Sequence, residues 1–234
     1  MQPKSTNNRG ARSTPLHTMT PTDHIITQLD ALRSLHGPVG ERSARKVLPQ
    51  LDAHARRFVE LSPFVVISSA DATSGNLDAS PRGGQPGFVK ALDAHTLLIP
   101  DAPGNNRLDT LENIVSHGQT GAPLGLLFMV PGVDETLRVN GRAWISADPT
   151  DRQSCEEGSR VPKLVVRVAV QDCYLHCAKA FMRSGLWDPA RQVDRSSALP
   201  SMGEMLRDQL REFHHTEVQA ETQEEMVKRY RETL

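Results

Sequence analysis

Between Phe64 and Val170 the chain carries six short apolar runs, and only one helical stretch lies among them. That arrangement limits the fold more than any other feature. A parallel sheet needs a crossover of a dozen or more residues, usually a helix, after nearly every strand, and these connections are too short to supply it. The sequence therefore predicts a mainly β protein with flanking helices: a six-stranded antiparallel split β-barrel from about Pro63 to Asp172. The predicted strands are Phe64 to Ser69, Leu77 to Ser80, His95 to Pro100, Leu124 to Val130, Glu135 to Ile145 and Lys163 to Val170. Turn chemistry at Asp71-Ala72-Thr73-Ser74-Gly75-Asn76 and Pro131-Gly132-Val133-Asp134 separates neighbours. In the fifth run Leu137, Val139, Gly141 and Ala143 fall on one face, and Arg138, Asn140, Arg142 and Trp144 on the other. Gly141 marks a bulge or a close backbone approach.

Helical spacing covers Thr20 to Leu35, with Thr22 and Asp23 as caps, then Leu48 to Leu61, Leu108 to Ser116, Tyr174 to Arg183 and Ser201 to Phe213. The charged tail from Glu217 to Leu234 reads as a solvated or frayed helix. Three regions follow: a disordered tail over 1–19, a barrel domain with N-terminal helices over 20–190, and a helical extension over 191–234. With 27 Lys and Arg against 28 Asp and Glu, the chain lacks the basic footprint of a nucleic-acid binder. No run of 18 apolar residues is present to span a membrane. Three cysteines do not make a disulfide framework, which points to a reducing compartment and a cytoplasmic location.

The candidate site lies between Ser80 and Arg107. Ser80-Pro81-Arg82-Gly83-Gly84 and Gly104-Asn105-Asn106-Arg107 flank one strand, and the second segment feeds a helix start. The asparagines suit the cap, and the free amides of a first helical turn attract anions. Arginine binds phosphate oxygens through a planar fork. Ser80, Arg82, Asn105, Asn106 and Arg107 thus form a candidate phosphate cradle; a solvated loop with an ordinary helix cap is the plainer alternative.

Several segments together carry a resemblance: Ser62-Pro63-Phe64-Val65-Val66-Ile67-Ser68, Asp78-Ala79-Ser80-Pro81-Arg82-Gly83, Leu98-Ile99-Pro100-Asp101, Gly104-Asn105-Asn106-Arg107-Leu108-Asp109-Thr110, Leu137-Arg138-Val139-Asn140-Gly141-Arg142-Ala143 and Tyr174-Leu175-His176-Cys177-Ala178-Lys179-Ala180. In this order they resemble the pyridoxamine 5′-phosphate oxidase-like family of FMN-binding split barrels, over roughly Leu48 to Pro189, and in particular a bacterial flavoprotein branch. The resemblance implies a homodimer with FMN in clefts at the subunit interface. It also implies a flavin-dependent oxidoreductase acting on a small molecule, or a non-catalytic flavin- or haem-handling relative. It carries the flavin phosphate to Ser80, Arg82, Asn105, Asn106 and Arg107. It makes His176, Lys179 and Arg183 candidates to close the site. The phosphate-substrate and C-terminal arginine motifs of true pyridoxamine phosphate oxidases are not intact, so vitamin B6 oxidation is not implied.

Two other chemistries have the residue types without the frame. Cys173, His176 and Cys177, with Cys155 before them, lack the paired Cys-x-x-Cys spacing of structural zinc sites. Ser80, His95 and Asp101 lack a Gly-x-Ser-x-Gly turn. Arg138, Asn140 and Arg142 form a stripe that is either an anion site or a solvated or dimer-facing strand surface.

The N-terminal stretch to Met19 has no apolar periodicity and nothing to bury. Its deletion is expected to leave the melting temperature within a few degrees of the full chain, as read by calorimetry; a larger drop would contradict the disordered-tail reading.

Overall fold

The computed structural model describes residues 24–232. The tail to Met19 and the Thr22 and Asp23 caps fall outside them. Two compact units divide between Ala44 and Arg45. In the first, α1 runs over Leu29–Ser34, shorter than the predicted helix from Thr20 to Leu35. Ile25, Ile26, Leu29, Leu32 and Leu35 are all exposed. Without a packed face only weak local propensity holds such a helix, and it stays short. α2, Glu41–Arg45, crosses the division.

The second unit is built on an antiparallel sheet. Its strands are β1 (Phe64–Ala70), β2 (Leu77–Gly83), β3 (Lys90–Ala91), β4 (Thr96–Pro100), β5 (Ala122–Met129), β6 (Thr136–Ser146) and β7 (Val165–His176). Their order is β2-β1-β5-β6-β7-β4-β3. The six predicted strands are present, and the seventh, β3, is a two-residue piece too short to give a periodic signal. The sheet curls without closing, as a split barrel does, with β2 and β3 as its edges. Pro81 lies within edge strand β2, opposite Val66 of β1. Proline cannot donate to a ladder, and an edge is where a sheet tolerates it.

The core follows the alternation. Val65 and Ile67 of β1, Leu124, Leu126 and Phe128 of β5, and Leu137, Val139 and Ala143 of β6 are buried in one cluster with Leu97 and Ile99 of β4 and Val166, Val168 and Val170 of β7. Helix α3 (Ala53–Leu61) adds Ala55 and Val59. Its Asp52 cap accepts from the Ala55 amide at 2.8 Å, which fixes the start. The residues before it are not helical, contrary to the sequence expectation: Leu48 pairs with Cys173, each amide donating to the other's carbonyl at 2.9 Å. Helix α4 (Asp109–Ser116) buries Thr110, Leu111, Asn113 and Ile114 against the inner side of the sheet. Helix α5 (Pro149–Ser154) is capped by Asp148, with proline in its first turn.

The largest departure from expectation is β7. It continues six residues beyond Val170, so Tyr174 to His176 is strand, and helix α6 covers only Lys179–Ser184. The β6–β7 register shifts at Asn140 and Gly141, where Asn140 faces Asp172 and Gly141 faces Val170. Gln171 is the extra residue. A bulge reverses which residues face inward. Val166, Val168 and Val170 point into the core, but beyond the bulge Cys173 does. Cys173 is therefore buried, and Cys177, which the sequence places in a helix, is exposed and precedes α6. Trp144 is covered locally. Its ring lies over Gly121, whose φ is +71°, and its indole donates to Gln119 O at 3.1 Å.

Beyond the barrel come α7 (Arg195–Ala198), α8 (Met202–His214) and α9 (Gln223–Arg231). α8 and α9 pack on each other, and each begins with a capping box. Among the described residues no helix is long and apolar enough to cross a membrane.

A side chain at Gly141 would run into the Ala169 carbonyl, far inside van der Waals contact. Gly141→Ala is expected to lower stability by about 1–3 kcal/mol, the usual cost of forcing an extra methyl into packed structure. It would be read as a lower urea midpoint at unchanged slope. An unchanged midpoint would mean that the bulge can shift aside.

Candidate functional site

Directly opposed residues of an antiparallel sheet point to the same side. In the β1–β2 register Asp78 faces Ser69, Ser80 faces Ile67 and Arg82 faces Val65. Since Ser69, Ile67 and Val65 are buried, Asp78, Ser80 and Arg82 lie on the inner face of the edge strand, at the mouth of the barrel. α4 packs onto the same region. Its Asn113 donates to Ser69 Oγ at 3.1 Å, and its Thr110 hydroxyl donates to Asp78 Oδ2 at 2.6 Å. Ser80 donates to that same oxygen at 2.8 Å. The Asp78 charge also reaches Arg107.

The loop that delivers Arg107 is strained. Asn106 and Leu108 have φ of 59° and 60°, in the left-handed region that residues other than glycine seldom adopt. Leu108 is the N-cap of α4 and makes no side-chain cap bond. The expected asparagine cap is therefore absent. Asn105 Oδ1 instead accepts from the Arg107 amide at 3.1 Å, bracing the loop. Residues held in such conformations concentrate at binding sites. Here the result is an α4 N-terminus whose cap residue covers none of its amides, with the carboxylates Asp109 and Glu112 in the first turn. Arg107 is exposed and donates from Nε to Asp109 at 2.8 Å, and this partner raises its pKa further.

Arg82 does not reach the same point. Its nearest partner is the Pro81 carbonyl at 3.2 Å, and its field acts on Asp101, just past β4. Burial pushes the Asp101 carboxyl upward, while Arg82, Arg160 and Lys163 pull it down. The structure thus brings Ser80 together with the unanticipated Asp78 and Thr110, with Arg107 within reach of the Asp78 charge, Asn105 and Asn106 in the connecting loop and Arg82 to one side. The sequence signal for Thr110 was its place in the first turn of a helix; nothing local marked Asp78.

A second feature lies on the opposite face. A cavity of about 390 Å³ has a floor of Val66, Leu126 and Leu127 and a wall of Ala180 and Phe181 from α6. Phe181 is held edge-on by Trp187, with centroids 5.5 Å apart, and Trp187 donates to Val133 O at 2.9 Å. The polar lining includes Arg138, Asn140 and His176. The Arg138 guanidinium lies 5.4 Å from the Tyr174 ring centroid, with Lys46 5.0 Å from it, a doubly cation-stacked tyrosine. His176 Nδ1 is buried with no hydrogen-bond partner. Lys179 and Arg183 are exposed on α6 and do not line this cavity. Of the three candidates to close the site, His176 ends a strand while Lys179 and Arg183 are on a helix, so they do not share one helical face. Among the described residues no three His, Cys, Asp or Glu side chains are grouped to hold a metal ion.

Of solved structures, HupZ of Group A Streptococcus is similar over 53% of this chain and 93% of its own, at 16% identity and a TM-score of 0.43. An FMN-binding protein from Syntrophomonas wolfei is similar over 53% of this chain and 84% of its own, at 10% identity and a TM-score of 0.39. The FAD-binding protein from Mycobacterium smegmatis is similar over 55% and 97%, at 14% identity and a TM-score of 0.38. No curated protein shows significant similarity to the chain. Residues 51–177 match the family model described as pyridoxamine 5′-phosphate oxidase. This match spans just over half of the chain, from the turn before α3 to the end of β7, and the chain belongs to that family.

Proposed function

We propose that this chain binds FMN and works as a flavin-dependent oxidoreductase on a small organic molecule. The observation that carries the reading is the convergence of Ser80, Thr110 and Arg107 beside the uncapped start of α4, within the segment that defines the family. Hydroxyls, a guanidinium and free helix amides are the donor set a phosphate needs. The flavin-binding proteins of similar fold point to the same class of cofactor.

Bound there, the flavin supplies the redox chemistry, and the protein supplies position and electrostatics. Arg107 binds and neutralises the phosphate while Asp109 orients its fork. The α4 amides add a fixed positive end. The apolar floor of the outer-face cavity excludes water from a flat ring system. Arg138 balances negative charge at a ring edge, and His176 Nδ1, left without an internal partner, is available to a bound molecule.

Cradle and cavity lie on opposite faces of β1 and β2. A second copy that lays its outer face over the cradle brings both to one flavin, so the working unit is a homodimer with the cofactor at its interface. Covering Val66 and Leu127 also removes apolar surface from water. Light scattering at micromolar concentration is expected to give twice the chain mass of 25.8 kDa; a monomer would count against the composite site.

The binding test is titration of apo-protein with FMN and riboflavin. A charge-assisted hydrogen bond contributes about 1.5–3 kcal/mol. Arg107 must share its fork with Asp109, so Arg107→Ala is expected to weaken FMN by roughly tenfold, near the lower end of that range. Riboflavin, lacking the phosphate, should bind both proteins alike. Equal loss for both flavins would remove Arg107 from the phosphate site. Bleaching of the yellow holoprotein by NAD(P)H supports the oxidoreductase. Haem uptake with a Soret band, and no flavin bound, would replace it with a haem-handling protein.

A further inference from the structure

The cradle holds a group that an anion site would be expected to avoid. Asp78 stands among its donors, and two of them are already committed to it. A hydroxyl has one proton to donate. Ser80 and Thr110 both direct theirs to Asp78 Oδ2, at 2.8 and 2.6 Å. Arg107 is within the same carboxylate's field and is paired to Asp109 as well. The groups facing Asp78 are thus Ser80 of its own strand, Ser69 of β1, Thr110 of α4 and Arg107 of the loop. Ser69 is itself engaged as the acceptor of Asn113. Both hydroxyl donors of the cradle are satisfied by one carboxylate of the chain.

We infer that Asp78 sets the ligand preference of the cradle by competing with the incoming phosphate for the Ser80 and Thr110 protons. The inference rests on the phosphate placement proposed above. A phosphate dianion only accepts, so to use either hydroxyl it takes that proton from Asp78 and lies close to a fixed negative charge. A terminal hydroxyl, as in riboflavin, can donate to Asp78 and meets neither obstacle. Asp78 therefore narrows the gap in affinity between phosphorylated and unphosphorylated ligands. It also keeps the donors aligned in their absence, since it ties α4 to the edge strand.

Asp78→Asn keeps the shape and one acceptor oxygen but removes the charge. Thr110→Val keeps the shape of a side chain that is only 1% exposed but removes one donor. Apo-forms of both variants and the wild type would be titrated with FMN, riboflavin and inorganic phosphate, the last followed by its effect on melting temperature. Asp78→Asn is expected to bind FMN about 5- to 20-fold more tightly, the scale of relieving one like-charge contact in a partly solvated site. Inorganic phosphate should also stabilise it more than the wild type, with riboflavin changed by less than about twofold. Thr110→Val should shift FMN in the opposite direction.

If both substitutions weaken all three ligands together, Asp78 is only a tie between helix and strand, and the inference is overturned. Unchanged FMN and phosphate binding in Asp78→Asn overturns it equally. If no protein binds flavin but Asp78→Asn still gains phosphate affinity, the flavin reading fails and the competition stands.

Discussion

The β-bulge in β7 decides which side chains the rest of the molecule can use. Gln171 has no partner in β6, and the alternation reverses across it. Even-numbered residues line the core up to Val170, while beyond the bulge Tyr174 and His176 turn to the outer face. The step depends on Gly141, where any side chain would strike the facing strand's carbonyl. One missing methyl group in β6 therefore determines that a histidine reaches the outer cavity. Without the bulge, an uninterrupted ladder would turn His176 away from that cavity and Cys173 out of the core.

On the inner face the organising element is α4. It enters from a loop with two left-handed residues that are not glycine, and it is held to the sheet by Thr110 on Asp78 and Asn113 on Ser69. Two polar links between buried or half-buried partners fix its rotation more sharply than Leu111 and Ile114 could through apolar packing alone. The fixed rotation aims the start of the helix at the mouth of the barrel. Backbone strain in the loop and polar ties in the helix together fix the start of α4 beside Asp78, the carboxylate to which both Ser80 and Thr110 donate.

Much of this was legible in the sequence. Six strands, the antiparallel class and the Gly141 irregularity follow from period-two patterning and turn chemistry, while the residue types around a helix start single out Ser80 and Arg107 only as candidates. The misreadings have a common physical origin. Periodicity detects an element only while its phase holds. The bulge broke the phase of β7 at Gln171, and Tyr174 to Arg183 then matched a helical period by accident. Leu48 is drawn out of helix by a backbone pair to Cys173, 125 positions away, which no local window contains. Asp78 was invisible for a different reason: its importance comes from Thr110, which only the packing of α4 on β2 brings near. The α5 start was readable, since an aspartate followed by proline is an ordinary helix-opening signal.

Pro81 bears on why the barrel is split at all. Edge strands recruit partners through unpaired amides, and a strand interrupted by a residue with no N–H is a poor template. β2 therefore resists zipping onto β3 or onto a strand of another molecule, even where Arg82 and the end of β4 come close enough for their charges to interact. The residue between Ser80 and Arg82 has a task distinct from theirs. It keeps a seam unsewn, so that the open edge of the sheet belongs to the fold itself and does not have to be made by pulling two strands apart.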